Sequence, residues 1–190
     1  MIEKQRILVW DWPVRIGHWL LVILFALAWL TGDSEELRLV HAALGGAMVG
    51  VLLFRLLWGF VGPRYARFSD FVYRPGEILA YLYGVLTLRA PRHLGHNPAG
   101  GAMIVAMLLA LTATVVTGLS LYGADKGLGP LAGWFTGSSD TLIDAIKEAH
   151  EVATNGTLLL IAGHLIGVVW ESLLHRENLV RAMITGRKRM

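Results

Sequence analysis

Four histidines lie within or at the edges of long apolar runs in this chain of 190 residues: His18, His41, His150 and His164. An imidazole in such a setting is costly, and it normally faces other helices and a partner there. His150 and His164 bracket the run EVATNGTLLLIAG, which carries one charge at its first residue and none after it. An α-helix rises about 1.5 Å and turns about 100° per residue, so fourteen residues span roughly 21 Å and return to nearly the same face. In a left-handed bundle with a seven-residue seam the register is closer still. Two imidazoles on one face, separated by most of a bilayer's thickness, are suited to holding metal centres at two depths.

The elements that must position them follow from composition. Hydrophobic residues make up 55% of the chain and charged residues only 16%, and the mean hydropathy is +0.55. These values exclude an ordinary soluble domain. Four runs are long and apolar enough to cross a hydrocarbon core of about 30 Å: 14–32, 37–61, 101–122 and 145–174. The expected fold is an all-α integral membrane protein, a four-helix transmembrane bundle in which residues 1–190 form a single domain. The first run follows basic residues as a secretory signal would. Its apolar core is longer than a signal's, no A-x-A-like site follows, and a histidine sits inside it, so it reads as a helix. The chain has no cysteine, which excludes disulfides, thiolate-held clusters and the C-x-x-C-H attachment of haem.

Basic residues near helix ends set the orientation. Lys4, Arg6 and Arg15 precede or open the first run, more lie between the second and third, and others follow the fourth. Only Arg38, Lys126 and Lys147 fall in the remaining loops, which instead carry Asp33, Glu35, Glu36, Asp125, Asp140, Asp144, Glu148 and Glu151. Both termini are therefore expected in the cytoplasm, with an acidic outer surface and a basic inner rim facing anionic lipid. The net charge of +3 is absorbed by that rim, and nothing in it calls for nucleic acid.

With this orientation His18 and His164 share the inner level, and His41 and His150 the outer. One imidazole from each of two facing helices is what bis-histidine haem ligation requires. Zinc is a poorer reading, because two imidazoles per level with only Glu151 nearby leave a tetrahedron incomplete. A proton relay would not explain two pairs on facing helices. Arg55 lies fourteen residues after His41, on the same face and at the inner level. Its guanidinium could meet a haem propionate or a quinone carbonyl, or reach the inner headgroups. Gly17, Gly45, Gly46, Gly163 and Gly167 border the four histidines and could admit a flat ligand or simply close helix packing.

Between the second and third runs, Pro75 opens a candidate surface helix with Ile78, Leu79, Leu82, Val85 and Leu86 near one face. Ser138, Ser139 and Asp140 are candidate caps for the fourth helix. His93, His96 and His175 read as solvated loop residues. Trp10, Trp12, Trp19, Trp58, Trp134 and Trp170 read as an interfacial aromatic belt.

The segments VWDWPVRIGHW, HAALGG with FRLLWG, HNPAGG, and HE followed by GH in the fourth run occur in that order. In them the chain resembles the bacterial cytochrome b561 family, within the superfamily that includes the cytochrome b subunits of nickel–iron hydrogenases and formate dehydrogenases. The resemblance covers essentially the whole chain, and HNPAGG leans towards the hydrogenase-subunit style. It implies a multi-pass protein of the bacterial inner membrane with two haem b groups, axially held by His18, His41, His150 and His164. It also implies electron exchange with a membrane quinone and with a periplasmic c-type cytochrome or a dehydrogenase or hydrogenase subunit. One branch of the family oxidises superoxide and reduces quinone; the tryptophan-rich N-terminus and HNPAGG depart from that branch. A third reading is an anchor subunit that holds a periplasmic enzyme at the membrane.

Overall fold

The computed structural model describes residues 6–190; Lys4 lies outside them. The order of elements is β1 (Arg6–Leu8), α1 (Trp12–Thr31), α2 (Arg38–Val61), α3 (Phe68–Phe71), α4 (Pro75–Leu86), α5 (Pro98–Lys126), α6 (Asp140–Leu174), α7 (Leu179–Thr185) and β2 (Arg187–Arg189). Helices α1, α2, α5 and α6, of 20, 24, 29 and 35 residues, are long and apolar enough to cross a membrane, and the protein is an all-α membrane bundle. Large apolar side chains such as Leu39, Phe60, Leu159 and Leu173 are more than 70% exposed. Hydrocarbon, being as apolar as leucine, gives them no reason to turn inward.

The described chain divides into two compact units: residues 6–18, 55–106 and 160–190 belong to unit 1, and residues 19–54 and 107–159 form unit 2. Helices α1, α5 and α6 start earlier than hydropathy alone suggests because polar caps precede their apolar runs. Asp11 caps α1, its Oδ1 accepting from Val14 N at 3.1 Å, while its Oδ2 accepts from Trp58 Nε1 at 2.7 Å. Ser139 caps α6 through Leu142 N, at 3.3 Å. Asn97 caps α5, its Oδ1 accepting from Gly100 N at 2.7 Å, with Pro98 in the first helical position where its missing N–H costs nothing.

Unit 2 is held partly by threonines. Thr114 and Thr157 are buried and their hydroxyls meet at 3.0 Å between α5 and α6. Each also donates to, or bonds back on, its own helix, at Ala110 O and Ala153 O. Unsatisfied hydroxyls have no water to turn to in hydrocarbon.

Unit 1 carries features that periodicity did not announce. Strands β1 and β2 pair antiparallel, with Ile7 opposite Lys188, and Val9 N and Trp10 N both donate to Gly186 O. Gly186 ends α7 at φ 76°, a conformation that costs glycine little. This clasp buries Val9, Trp10 and Ala182 together. Trp10 is therefore not a belt residue: its ring is core. Nearby, Glu177 and Lys188 are buried. Glu177 pairs with Arg92 at 3.1 Å and Lys188 at 3.7 Å, and accepts from Arg189 N at 3.1 Å. Burial pushes the Glu177 carboxyl up, but these donors hold it below the usual carboxylate range.

Helix α4 forms as expected, with Glu77 accepting from Arg74 N at its start, at 2.8 Å. Its apolar residues do not share one role, however. Tyr81 is buried and donates to Glu171 at 3.0 Å, whereas Leu79 and Leu86 are exposed at 67% and 81%. The buried side is that of Tyr81, while Tyr83, at 71% exposed, joins the leucines on an outward surface suited to lipid.

The HNPAGG segment packs closely. A methyl group on Gly101 would overlap the Phe71 carbonyl oxygen, which is backbone and cannot rotate away. Gly101→Ala should therefore destabilise the protein by about 1–3 kcal/mol, the usual cost of overpacking. A fall in the thermal unfolding midpoint in detergent checks this, with Gly76→Ala, where a methyl meets nothing within 4 Å, as the comparison.

Candidate functional site

In unit 2 the chain brings His41 and His150 together, with ring centroids 6.2 Å apart and planes at 86°. His41 sits in the first turn of α2, and its Nδ1 lies 2.8 Å from Ala28 O. Ala28 is in the last turn of α1, where carbonyls run out of helical donors. His150 Nδ1 lies 3.0 Å from Thr114 O and 3.1 Å from Thr117 Oγ1. A carbonyl can only accept, so Nδ1 carries a hydrogen in both rings, which in a neutral imidazole leaves the lone pair on Nε2. Metal-binding histidines are commonly fixed in this way. Gly118 makes the room: a Cβ there would stand 2.9 Å from His150 Cε1.

In unit 1 His18 and His164 stand with ring centroids 6.4 Å apart and planes at 55°. Imidazole nitrogen bonds a transition metal at about 2 Å and the ring centre lies about 1.1 Å behind it, so two imidazoles trans across one iron have centroids roughly 6.3 Å apart. Both pairs match that spacing. Among the described residues no cluster of three or more His, Cys, Asp or Glu converges on a common point. The donor set thus suits a metal that brings its own equatorial ligands, as a porphyrin iron does. The bordering glycines do not mark a cavity: a Cβ at Gly45, Gly46 or Gly167 would meet nothing within 4 Å, but Gly46 and Gly167 are exposed, and one at Gly163 would touch Met103 Cε at 3.4 Å. Thr154, one turn after His150, has a buried hydroxyl oxygen with no hydrogen-bond partner.

Arg55 also lies in unit 1. Its guanidinium carbon is 5.4 Å from the Phe68 ring centre and 5.6 Å from that of Phe71, and its Nη1 is buried without an acceptor. His96 was expected in solvent and is not. The loop folds beneath Trp10, whose ring centre is 4.4 Å away, and against Phe71 at 5.0 Å. His96 Nδ1 is buried without a partner. Burial, and then the positive charges of Arg55 and Lys188, push its pKa down to about 3. His175 is also enclosed, with Nε2 3.2 Å from Glu171 Oε2. His93 is not a free solvated side chain either: it is half-buried, its ring lies edge-on to Tyr81 at 5.4 Å, and its Nδ1 is 3.0 Å from Pro91 O.

A family profile described as Prokaryotic cytochrome b561 matches residues 9–186. The chain belongs to the prokaryotic cytochrome b561 family. Among similar proteins is a probable Ni/Fe-hydrogenase B-type cytochrome subunit of Bradyrhizobium diazoefficiens, 25% identical over 98% of this chain and 87% of that one. A protein of the same description from Rhodobacter capsulatus is 24% identical over 98% and 82%. A probable Ni/Fe-hydrogenase 1 B-type cytochrome subunit of Escherichia coli is 27% identical over 94% and 88%. Membership makes this a membrane electron-transfer protein that works with haem b.

The low affinity of His96 for a proton has a consequence for stability. The unfolded chain binds that proton near the ordinary 6.5, whereas the folded one resists it until about 3. Below the unfolded value protons therefore favour unfolding, increasingly as pH falls towards the folded value. Between about pH 7 and about pH 4 the unfolding midpoint of the wild type should drop more than that of His96→Phe, which keeps an aromatic ring and removes the proton site. Parallel pH profiles would contradict the burial of a neutral imidazole.

Proposed function

We propose that this chain is a dihaem b-type cytochrome subunit that carries electrons across the bilayer between the quinone pool and a periplasmic redox partner. In this reading residues 1–190 act as one dihaem domain. His18 with His164 hold one haem b and His41 with His150 the other. The observation that carries the reading is the pair of imidazole couples, each at the separation two axial ligands of one iron require. Haem b supplies a reversible one-electron iron couple. The chain's own residues hold, orient and tune it. Ala28 O, Thr114 O and Thr117 Oγ1 fix ring tautomer and increase ligand basicity at one pair, and Arg55 places a positive charge in the unit that contains the other.

The relatives' descriptions support a hydrogenase-type enzyme as the partner, more than a c-type cytochrome, another dehydrogenase or direct superoxide oxidation. Their descriptions as cytochrome subunits also leave little support for a haem-independent anchor. The charge pattern supports residence in the inner membrane with both termini cytoplasmic, since Arg38, Lys126 and Lys147 are the only basic residues of unit 2. The acidic loops there suit a partner with a basic docking surface.

Transmembrane transfer is tested in sealed proteoliposomes with an impermeant oxidant trapped inside and a quinol or an impermeant reductant supplied. Electrons should cross in the wild type and stop when either pair is broken; transfer that survives loss of a pair overturns the proposal. A pyridine haemochrome assay should count two haem b per chain. Redox titration should then sort four variants into two matching classes: His41→Ala with His150→Ala, and His18→Ala with His164→Ala. Gly118→Val should join the first class, because its side chain would displace the His150 ring while the His18–His164 pair is untouched. Normal spectra in Gly118→Val would show that His150 does not need the space that glycine leaves.

A further inference from the structure

We propose that Arg55 and His96 together form a recess for a single carboxylate, occupied in the loaded protein by a propionate of the haem held between His18 and His164. The proposal rests on assigning that histidine pair to haem. Arg55 Nη1 and His96 Nδ1 are among the buried polar atoms of unit 1 that have no hydrogen-bond partner. Both side chains lean on the same wall: Phe71 is 5.6 Å from the guanidinium carbon and 5.0 Å from the imidazole centre. Native proteins rarely leave such atoms orphaned unless a bound group or water completes them.

The carboxylates of the surrounding elements are already engaged. Asp11 holds Trp58 Nε1 and Val14 N, Asp70 pairs with Arg64 at 3.2 Å, Glu171 serves Tyr81 and His175, and Glu177 serves Arg92 and Lys188. Among the described residues none lies within ion-pair distance of Arg55. A quinone carbonyl would accept a hydrogen bond but bring no charge to the guanidinium, which Asp11 favours only from beyond ion-pair distance. A carboxylate satisfies both, and the fork of a guanidinium matches its geometry. His96 can donate from Nδ1 while remaining neutral, and it is held in place: Tyr73 OH donates to its carbonyl at 3.0 Å. A Cβ on the preceding Gly95 would press on Tyr65 at 2.8 Å, so that turn is packed as well.

The test compares full-length protein loaded with haem b and with haem b dimethyl ester, which keeps the macrocycle but cannot ionise its side chains. Loss of each to excess apomyoglobin is followed optically, and the two sites are told apart with His18→Ala and His41→Ala. Hydrogen bonds to a charged group at this strength correspond to on the order of tenfold to a hundredfold. The ester should leave the His18–His164 site faster than haem b by that factor in the wild type. The factor should shrink in Arg55→Lys and in His96→Phe, which keep charge and ring packing respectively, and vanish in Arg55→Leu combined with His96→Phe. Equal rates for the two haems in the wild type overturn the proposal. So does a preference that the variants leave intact, or variants that alter only quinone kinetics. A haem count of one, with nothing at His18 and His164, would instead fault the haem assignment, and the recess with it.

Discussion

Hydrocarbon offers no hydrogen bonds, so a polar group inside a membrane helix must find its partner within the protein or in something the protein binds. That constraint accounts for much of unit 2. Threonines return their hydroxyls to the carbonyl four residues back or meet across helices, as Thr114 and Thr157 do. It also selects the chemistry of the histidines. Once Ala28 O and Thr114 O have each claimed an Nδ1 hydrogen, the remaining nitrogen has only a lone pair to offer. A neutral imidazole with a fixed tautomer is then already prepared as a ligand, and little orientational freedom is left to lose when a metal arrives.

The same constraint works differently in unit 1, where, besides His18, Arg55, His164 and Glu171 in the spans, many polar groups gather in the segments that join or follow them. The strand pairing of residues 6–8 with 187–189 ties the beginning of α1 to the end of α7. It also covers Trp10, and Trp10 in turn covers His96. The capped start of α5, the Gly101 contact with Phe71 and the Tyr73 bond to His96 O then fix the HNPAGG turn from three sides. A segment that looks like a loop in sequence is by these contacts a rigid part of the structure, as positioning a ligand-facing imidazole demands.

This difference explains what could be read in advance. Helix count and the histidine pairs were legible because both depend on local arithmetic: twenty apolar residues make a span, and fourteen residues return to one face. The cap at Ser139 is equally local. Thr117 and Gly118 were not legible as neighbours of His150, since that contact depends on how α5 is rotated about its axis, and a helix with polar and small residues all round gives no moment to read. His96 was misread for a related reason. Its burial comes from Trp10, more than eighty residues earlier, and from a strand at the other end of the chain; no window along the sequence contains both.

Buried charge in unit 1 comes in two kinds, and the contrast separates scaffold from site. Glu177, Lys188 and Arg92 form a closed account in which each group meets an opposite charge or a fixed dipole, and Lys188 also donates to His93 O at 3.1 Å. Breaking such a set leaves a bare buried charge, so it acts as a lock on the C-terminal strand rather than as a receptor. Arg55 has aromatic faces around it and, among the described residues, no carboxylate within ion-pair distance; the charge of Asp11 reaches it only from farther off. Cation–π attraction of about 1–2 kcal/mol falls short of a guanidinium's loss of hydration. An anion supplied from outside the chain would give Arg55 Nη1 the acceptor it lacks, and His96 Nδ1, against the same Phe71 ring, lacks one too. The two open donors therefore mark where unit 1 can take an anion, just as the closed cluster marks where it cannot.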